Sequence, residues 1–416
     1  MSHAETGPRQ AGNASLAFRR TGAPGGEGAT AGAWWRAGLI LLLAVLVAHA
    51  WLLKPGGDFH VFWLAGRRTL DGVFPYQAAD GLYPFKYAPP VALFLAPLAL
   101  VPERLASGLW LALSAFGLLR LVRWSQATLG GGADGRRELF LLLALLPFVT
   151  HLLGLGQSEG LLLWLMVESE DRRVRTPLLS GVLWAVACLF KPPFAVFLAL
   201  VVWRRELRRG LGLAAGVAGS FALLALVLGP AAMGSQLTAW RSVLAASTPA
   251  ATCGAQNQSL LALVCSVTSL GPGDPGFIAA VALAAGCLVA AGMAAVASCA
   301  RRSPAEGERL AVSLTFYATA LFSPLGWRTN LLALVPALAL LFARGRAPDP
   351  LASGVRIGSA TALALTVVVL NYDVLGPDRF RQILEHRAYG WLGLALVLCT
   401  VLVGVRSAMA PARATG

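Results

Sequence analysis

The stretch Arg36-Ala-Gly-Leu-Ile-Leu-Leu-Leu-Ala-Val-Leu-Val-Ala-His-Ala-Trp-Leu-Leu53-Lys54-Pro-Gly-Gly-Asp58-Phe-His60 decides the fold class. Between Arg36 and Lys54 the chain carries no Asp, Glu, Lys or Arg. An apolar run of roughly 20 residues is what a helix needs to cross the hydrocarbon of a bilayer. Ala48-His49-Ala50 also fits a signal-peptidase site. A long tail precedes the run and many apolar runs follow it, so it reads as a first span rather than a leader.

Outward from this stretch, apolar runs recur at about 104–123, 138–152, 159–168, 176–190, 192–203, 211–229, 275–298, 310–323, 329–343, 354–371 and 389–405. Charged residues make up 13% and hydrophobic residues 57% of the 416, against about 25% charged in soluble proteins. Lipid is therefore the solvent for most of the chain, which excludes a cytosolic enzyme, a secreted domain and a soluble nucleic-acid module. The reading is an all-α polytopic membrane protein of about twelve transmembrane helices, roughly 11–13.

The net charge of +14 tests first as a topology signal. Arginine clusters at 120–137, 172–175, 204–209, 301–309, 344–356 and 406–413, with Arg9, Arg19, Arg20 and Arg36, hold 23 of the 34 basic residues on one side. The positive-inside rule makes that side cytoplasmic, with both termini on it. Residues 1–33 read as a disordered tail, 34–408 as a single transmembrane domain and 409–416 as a second cytoplasmic tail. Counting 88–101 as a full span would invert every later loop. It reads instead as a re-entrant or interfacial helix broken at Pro97, of the kind that lines a cavity.

The unusual residues then fall on the outer face. The longest outer loop, 54–103, contains Asp58, His60, Phe74-Pro-Tyr76 and Lys86-Tyr87-Ala-Pro-Pro90. An acid at that depth is solvated, paired or functional, and Asp58 equally suits an N-cap. His60 fits a packing role as well as a functional one. Gly156-Gln157-Ser158-Glu159, Lys191-Pro192-Pro193, Gln256-Asn257-Gln258-Ser259 and Ser323-Pro324-Leu325-Gly326-Trp327-Arg328-Thr329-Asn330 mark further outer turns. Lys191 and Arg328 are isolated cations, suited to snorkelling or to a lipid phosphate. Gln157 and Asn257 suit sugar hydroxyls or helix ends.

The sequence has no Walker loop, His-Glu-x-x-His or Cys-x-x-Cys, so metal-free and cofactor-free chemistry is expected. Of six cysteines, Cys253 and Cys265 share one outer loop and can pair in an oxidising exterior.

The order of these pieces resembles glycosyltransferase family 87 of the glycosyltransferase-C superfamily. The matching elements are Asp58, Phe74-Pro-Tyr76, Lys86-Tyr87-Ala-Pro-Pro90, Gly156-Gln157, Lys191-Pro192, Asn257-Gln258-Ser259-Leu260 and Ser323-Pro324…Trp327. The resemblance implies a glycosyltransferase-C-like fold and a hexosyltransferase. Its donor would be a polyprenyl-phosphate sugar, mannose by default or a pentose such as arabinose, and its acceptor a lipid or glycan. It implies an inverting displacement with Asp58 as base, Lys191, Arg328 and Lys86 on the donor phosphate, and His60, Tyr87, Gln157, Glu159, Asn257, Gln258 and Trp327 around sugar and acceptor. Two departures stand out: Arg328-Thr-Asn330 replaces histidines after the Ser-Pro…Trp motif, and Glu159 replaces an Asn. A flippase or transporter for a lipid-linked saccharide is the alternative from another class. Transporters often carry related halves, and the Asp58 loop has no counterpart in the second half.

Overall fold

The computed structural model describes residues 26–53, 57–77, 84–343 and 349–409. Lys54, Arg344, Arg346, Arg413 and the first 25 residues lie outside them. Every regular element among the described residues is a helix. α1 (Gly26–Leu53) starts inside the stretch expected to be tail. After it come α2 (Gly57–Leu70), α3 (Pro89–Leu95) with the 3-10 turns Ala96–Leu100, and α4 (Glu103–Thr128). α5 (Gly135–Ala144) and α6 (Leu146–Leu155) form a pair bent by 69°. α7 (Glu159–Arg172), α8 (Pro177–Phe190), the 3-10 turns Pro192–Phe197 and α9 (Leu198–Arg204) follow. Next are α10 (Leu207–Leu228), α11 (Pro230–Thr252), α12 (Leu260–Thr268) and α13 (Pro275–Arg302). The chain closes with α14 (Pro304–Leu321), the 3-10 turns Arg328–Leu334 entering α15 (Val335–Leu341), then α16 (Pro350–Val368), α17 (Tyr372–Glu385) and α18 (Ala388–Met409).

Local chemistry sets many of these boundaries. α3, α8, α11, α13, α14 and α16 open on a proline, whose missing N–H is not needed in the first turn. The side chains of Asp134, Ser303, Asp349 and Asn371 accept from backbone N–H groups to cap α5, α14, α16 and α17.

Among the described residues six helices (α1, α4, α10, α13, α16 and α18) are long and apolar enough to cross a membrane, or up to seven with the α5–α6 pair. This is the architecture of a polytopic membrane protein, with fewer uninterrupted spans than the apolar runs suggested. Pro147, the Gly156-Gln157-Ser158 turn and Lys191-Pro192-Pro193 cut several runs into helices such as α7 and α8, each 14 residues long. α15 is buried along its whole length, so its apolar surface faces protein. The 88–101 stretch is a short helix running into 3-10 turns at Ala96-Pro97, with Gly66 of α2 pressed on the Leu95 carbonyl.

Arginines read as a record of topology turn out to be partnered as well. Arg209 is fully buried, 2.6 Å from Glu170 and 3.1 Å from Glu206. Arg204 sits 3.0 Å from Glu170 and 2.5 Å from Glu308, and Arg173 is 2.9 Å from Glu206. The network joins α7, α9, α10 and α14 at one end of the bundle, because a buried charge away from water survives only when paired.

α8 and α10 approach at glycines. A Cβ on Gly181 would stand 2.2 Å from the Arg209 carbonyl oxygen, and one on Gly212 2.3 Å from that of Leu178. Small residues permit such close packing in membranes. Gly181→Val is expected to cost about 1–3 kcal/mol of stability. Gly219→Val on α10, with open space around it, is expected to be close to neutral. Unfolding midpoints of the detergent-purified variants check both.

Candidate active site

The site is built on one glycine. α6 ends at Gly156 in the left-handed conformation, φ 67°, which an L side chain rarely adopts. A Cβ there would also lie 2.7 Å from that of Phe59. The close approach sets Gln157 beside Asp58, and Gln157 Nε2 donates to Asp58 Oδ2 at 2.7 Å. The Thr329 hydroxyl in turn donates to Gln157 Oε1. Trp110 donates to the Gly156 carbonyl at 2.9 Å and packs on Phe59 and Phe62. Three stretches remote in sequence are thereby fixed around one carboxylate.

That carboxylate opens into a cavity of about 410 Å³. Of the residues expected from sequence, Asp58, Lys86, Tyr87, Gln157, Trp327 and Arg328 all line it. His151 and Gln256 line it too, and sequence reasoning assigned neither a role. His151 looked like one more residue in an apolar run. Gln256 stood next to Asn257, whose amide suggested a stronger candidate.

The cavity wall is braced from behind. Tyr76 Oη donates to the Tyr87 carbonyl at 2.7 Å, and Trp240 Nε1 to that of Lys86 at 2.8 Å. The Phe74-Pro-Tyr76 motif is thus a support for the Lys86-Tyr87 strip. Arg328 lies over the Phe380 ring at 4.8 Å, with Nη2 3.2 Å from His151 Nδ1. His151 reaches Arg328 from α6. Burial raises the Asp58 carboxyl above its ordinary value, with the Gln157 hydrogen bond and the Lys191 charge opposing. Burial lowers the Lys86 ammonium.

Five expected residues are placed elsewhere. His60 Nδ1 lies 2.9 Å from Glu103 Oε1 rather than in the cavity. Asn257 spends its amide on backbone: Nδ2 donates to Thr252 and Pro324 carbonyls at 2.7 and 2.9 Å, and Oδ1 accepts from Gly326 at 2.7 Å. Gln258 Nε2 donates to the Ala255 and Leu384 carbonyls at 2.9 and 3.2 Å, while Oε1 accepts from Gly390 at 3.1 Å. Both amides are clamps that hold the cavity wall. Lys191 pairs with Glu159, which is 4% exposed, behind the cavity rather than in it. Cys253 and Cys265 form a disulfide, with Cα atoms 5.8 Å apart, across the loop that carries these amides.

The profile of glycosyltransferase family 87 matches residues 85–324, more than half of the chain. The chain belongs to glycosyltransferase family 87. Within this family-87 chain, Trp327 and Arg328 stand just outside the matched segment, and Asp58 lies well before its start. A stretch of 108 residues is 36% identical to the polyprenol-phosphate-mannose-dependent alpha-(1-2)-phosphatidylinositol pentamannoside mannosyltransferase of Mycobacterium tuberculosis (strain CDC 1551 / Oshkosh). The match covers 23% of this chain and 25% of that protein, so the chain spans about a quarter of the length of the curated relative. No solved structure matches.

Removing one member of the buried Lys191–Glu159 pair leaves an uncompensated charge. Lys191→Met is expected to lose roughly 3–5 kcal/mol of stability. The double variant Lys191→Met, Glu159→Gln is expected to recover most of that loss in unfolding midpoint.

Proposed function

We propose that the chain transfers a sugar, mannose in first place, from a polyprenyl-phosphate donor to a lipid or glycan acceptor. The single observation that carries the reading is a half-buried carboxylate, Asp58, in one cavity with Lys86 and Arg328. The name of the mycobacterial relative supports the donor class.

In the proposed step an acceptor hydroxyl oxygen attacks the anomeric carbon, and its proton passes to Asp58. The bond from that carbon to the phosphate oxygen breaks, and the polyprenyl phosphate leaves with the electron pair. One displacement inverts the configuration. A desolvated carboxylate is a stronger base than one in water, and Gln157 holds it in place. Lys86 and Arg328 receive the charge that develops on the phosphate, with His151 bracing Arg328. Lys191, spent on Glu159, acts on Asp58 through its charge rather than on the donor.

The arginine distribution supports twelve passes with both termini cytoplasmic and the Asp58 cavity on the outer face. The six long helices and the α5–α6 pair then combine with shorter passes: α7, α8, Pro192–Arg204, α14 and Arg328–Leu341. The Asp58 helix and 89–100 stay at the outer interface.

Asp58→Asn and Asp58→Ala are expected to lower turnover by about 10²–10⁴-fold in a membrane assay with labelled polyprenyl-phosphate mannose. Wild-type turnover in both folded variants would remove Asp58 from the mechanism. The base must be ionised, so kcat/KM is expected to rise with pH through the Asp58 pKa, displaced above the ordinary 3.8. The folded chain holds this proton more tightly than the unfolded chain. Asp58 therefore costs stability as pH rises from the unfolded to the folded pKa. At pH 7 Asp58→Asn is expected to show that loss of turnover yet be at least as stable as wild type.

A further inference from the structure

A second cavity, of about 510 Å³, shares no lining residue with the first. Cys253, Cys265, Ser266 and Ser269 form one wall, and Glu385-His386-Arg387 with Trp391 the other. It opens at the same end of the bundle as the Asp58 cavity. Gln256, in the first lining, is in the loop of Cys253, and Gln258 fixes the α17–α18 turn through Leu384 and Gly390.

The cavity is preformed. The Cys253–Cys265 disulfide ties one wall together, and Arg387 joins the walls by donating to the Cys253 carbonyl at 2.6 Å. Arg387 also donates to the Leu384 carbonyl at 3.1 Å. Ser269 and Arg387 adopt φ of 59° and 55°. They are two of the three non-glycine residues with positive φ among the described residues, and such strain persists only where the surroundings hold it.

Its chemistry selects a ligand class. Trp391 is 41% exposed and offers an indole face, which takes the C–H face of a ring and leaves a polar edge free. Glu385, His386 and Ser266 are exposed around it and supply acceptors and donors for hydroxyl groups. Arg387 is 6% exposed and spends its Nη atoms on backbone carbonyls, while its Nε is buried without a partner. With that guanidinium engaged and the Glu385 carboxylate beside it, the cavity disfavours a phosphate. An aromatic platform ringed by neutral and acidic hydrogen-bonding groups suits an uncharged polyhydroxylated ring. The volume lies within the 300–1,000 Å³ typical of ligand sites.

We propose that this cavity binds a neutral saccharide, the sugar chain of the acceptor, while the Asp58 cavity performs transfer; the acceptor role rests on the transferase reading, whereas saccharide binding does not. The full chain in nanodiscs is titrated with a fluorescently labelled linear manno-oligosaccharide, with and without inorganic phosphate. Wild type and Asp58→Asn are expected to bind alike, phosphate is expected not to compete, and Trp391→Ala and Glu385→Gln each weaken binding at least tenfold. Both side chains are exposed at the protein surface, and Glu385→Gln keeps the side-chain shape, so unfolding midpoints near wild type separate lost binding from lost fold. In the transfer assay the acceptor KM rises by the same factor, with donor KM and kcat unchanged. No saturable binding by wild type, competition by phosphate, or binding within twofold of wild type in both variants overturns the site. Intact binding without any transfer supports the saccharide site and sinks the transferase reading instead.

Discussion

The hydrogen bond from Gln157 Nε2 to Asp58 Oδ2 joins the outer loop to the turn between α6 and α7, and the geometry of the cavity depends on it. A carboxylate buried in an apolar molecule is costly unless a donor reaches it. Here the donor arrives because Gly156 turns left-handed and lets Phe59 press against it. Thr329 then orients the other end of the same amide, which carries the constraint on to the stretch containing Trp327 and Arg328. Burial that raises the Asp58 pKa works against folding at neutral pH and in favour of basicity, a trade common at functional sites.

The rest of the molecule follows the same economy of polar groups. Charged residues make up only 13% of the chain, and the buried ones among the described residues have structural partners. Glu170, Glu206 and Glu308 neutralise arginines at one end of the bundle, and Glu159 neutralises Lys191 near the other. Asn257 and Gln258 close irregular backbone that would otherwise expose its N–H and C=O groups inside an apolar fold. The cavities around Asp58 and beside Trp391 place polar side chains in this background.

Much of the first cavity was legible from sequence because its residues are anomalies there. Asp58, Lys86, Gln157 and Arg328 are polar groups in an apolar setting, and all line it. Lys191 and Glu159 are equally anomalous, and the structure places them against each other rather than in the lining of this cavity. Asn257 and Gln258 have the chemistry of sugar ligands, and only their backbone partners reveal them as clamps. His151 went unassigned because its value comes from Arg328, 177 residues away in the chain.

Composition and run length by themselves determined an all-helical membrane protein, since only helices satisfy every backbone group within such runs. Arginine placement and ordered motifs pointed to a family and to one acid. Tertiary structure decided how many runs become long helices, which polar residues face a cavity and which face one another, and that a second cavity exists at all. The physical reason is that pairing and burial are pairwise properties of groups far apart in the chain. A sequence shows that a charge is expensive, and only the packed structure shows whether a neighbour or a ligand is there to offset it.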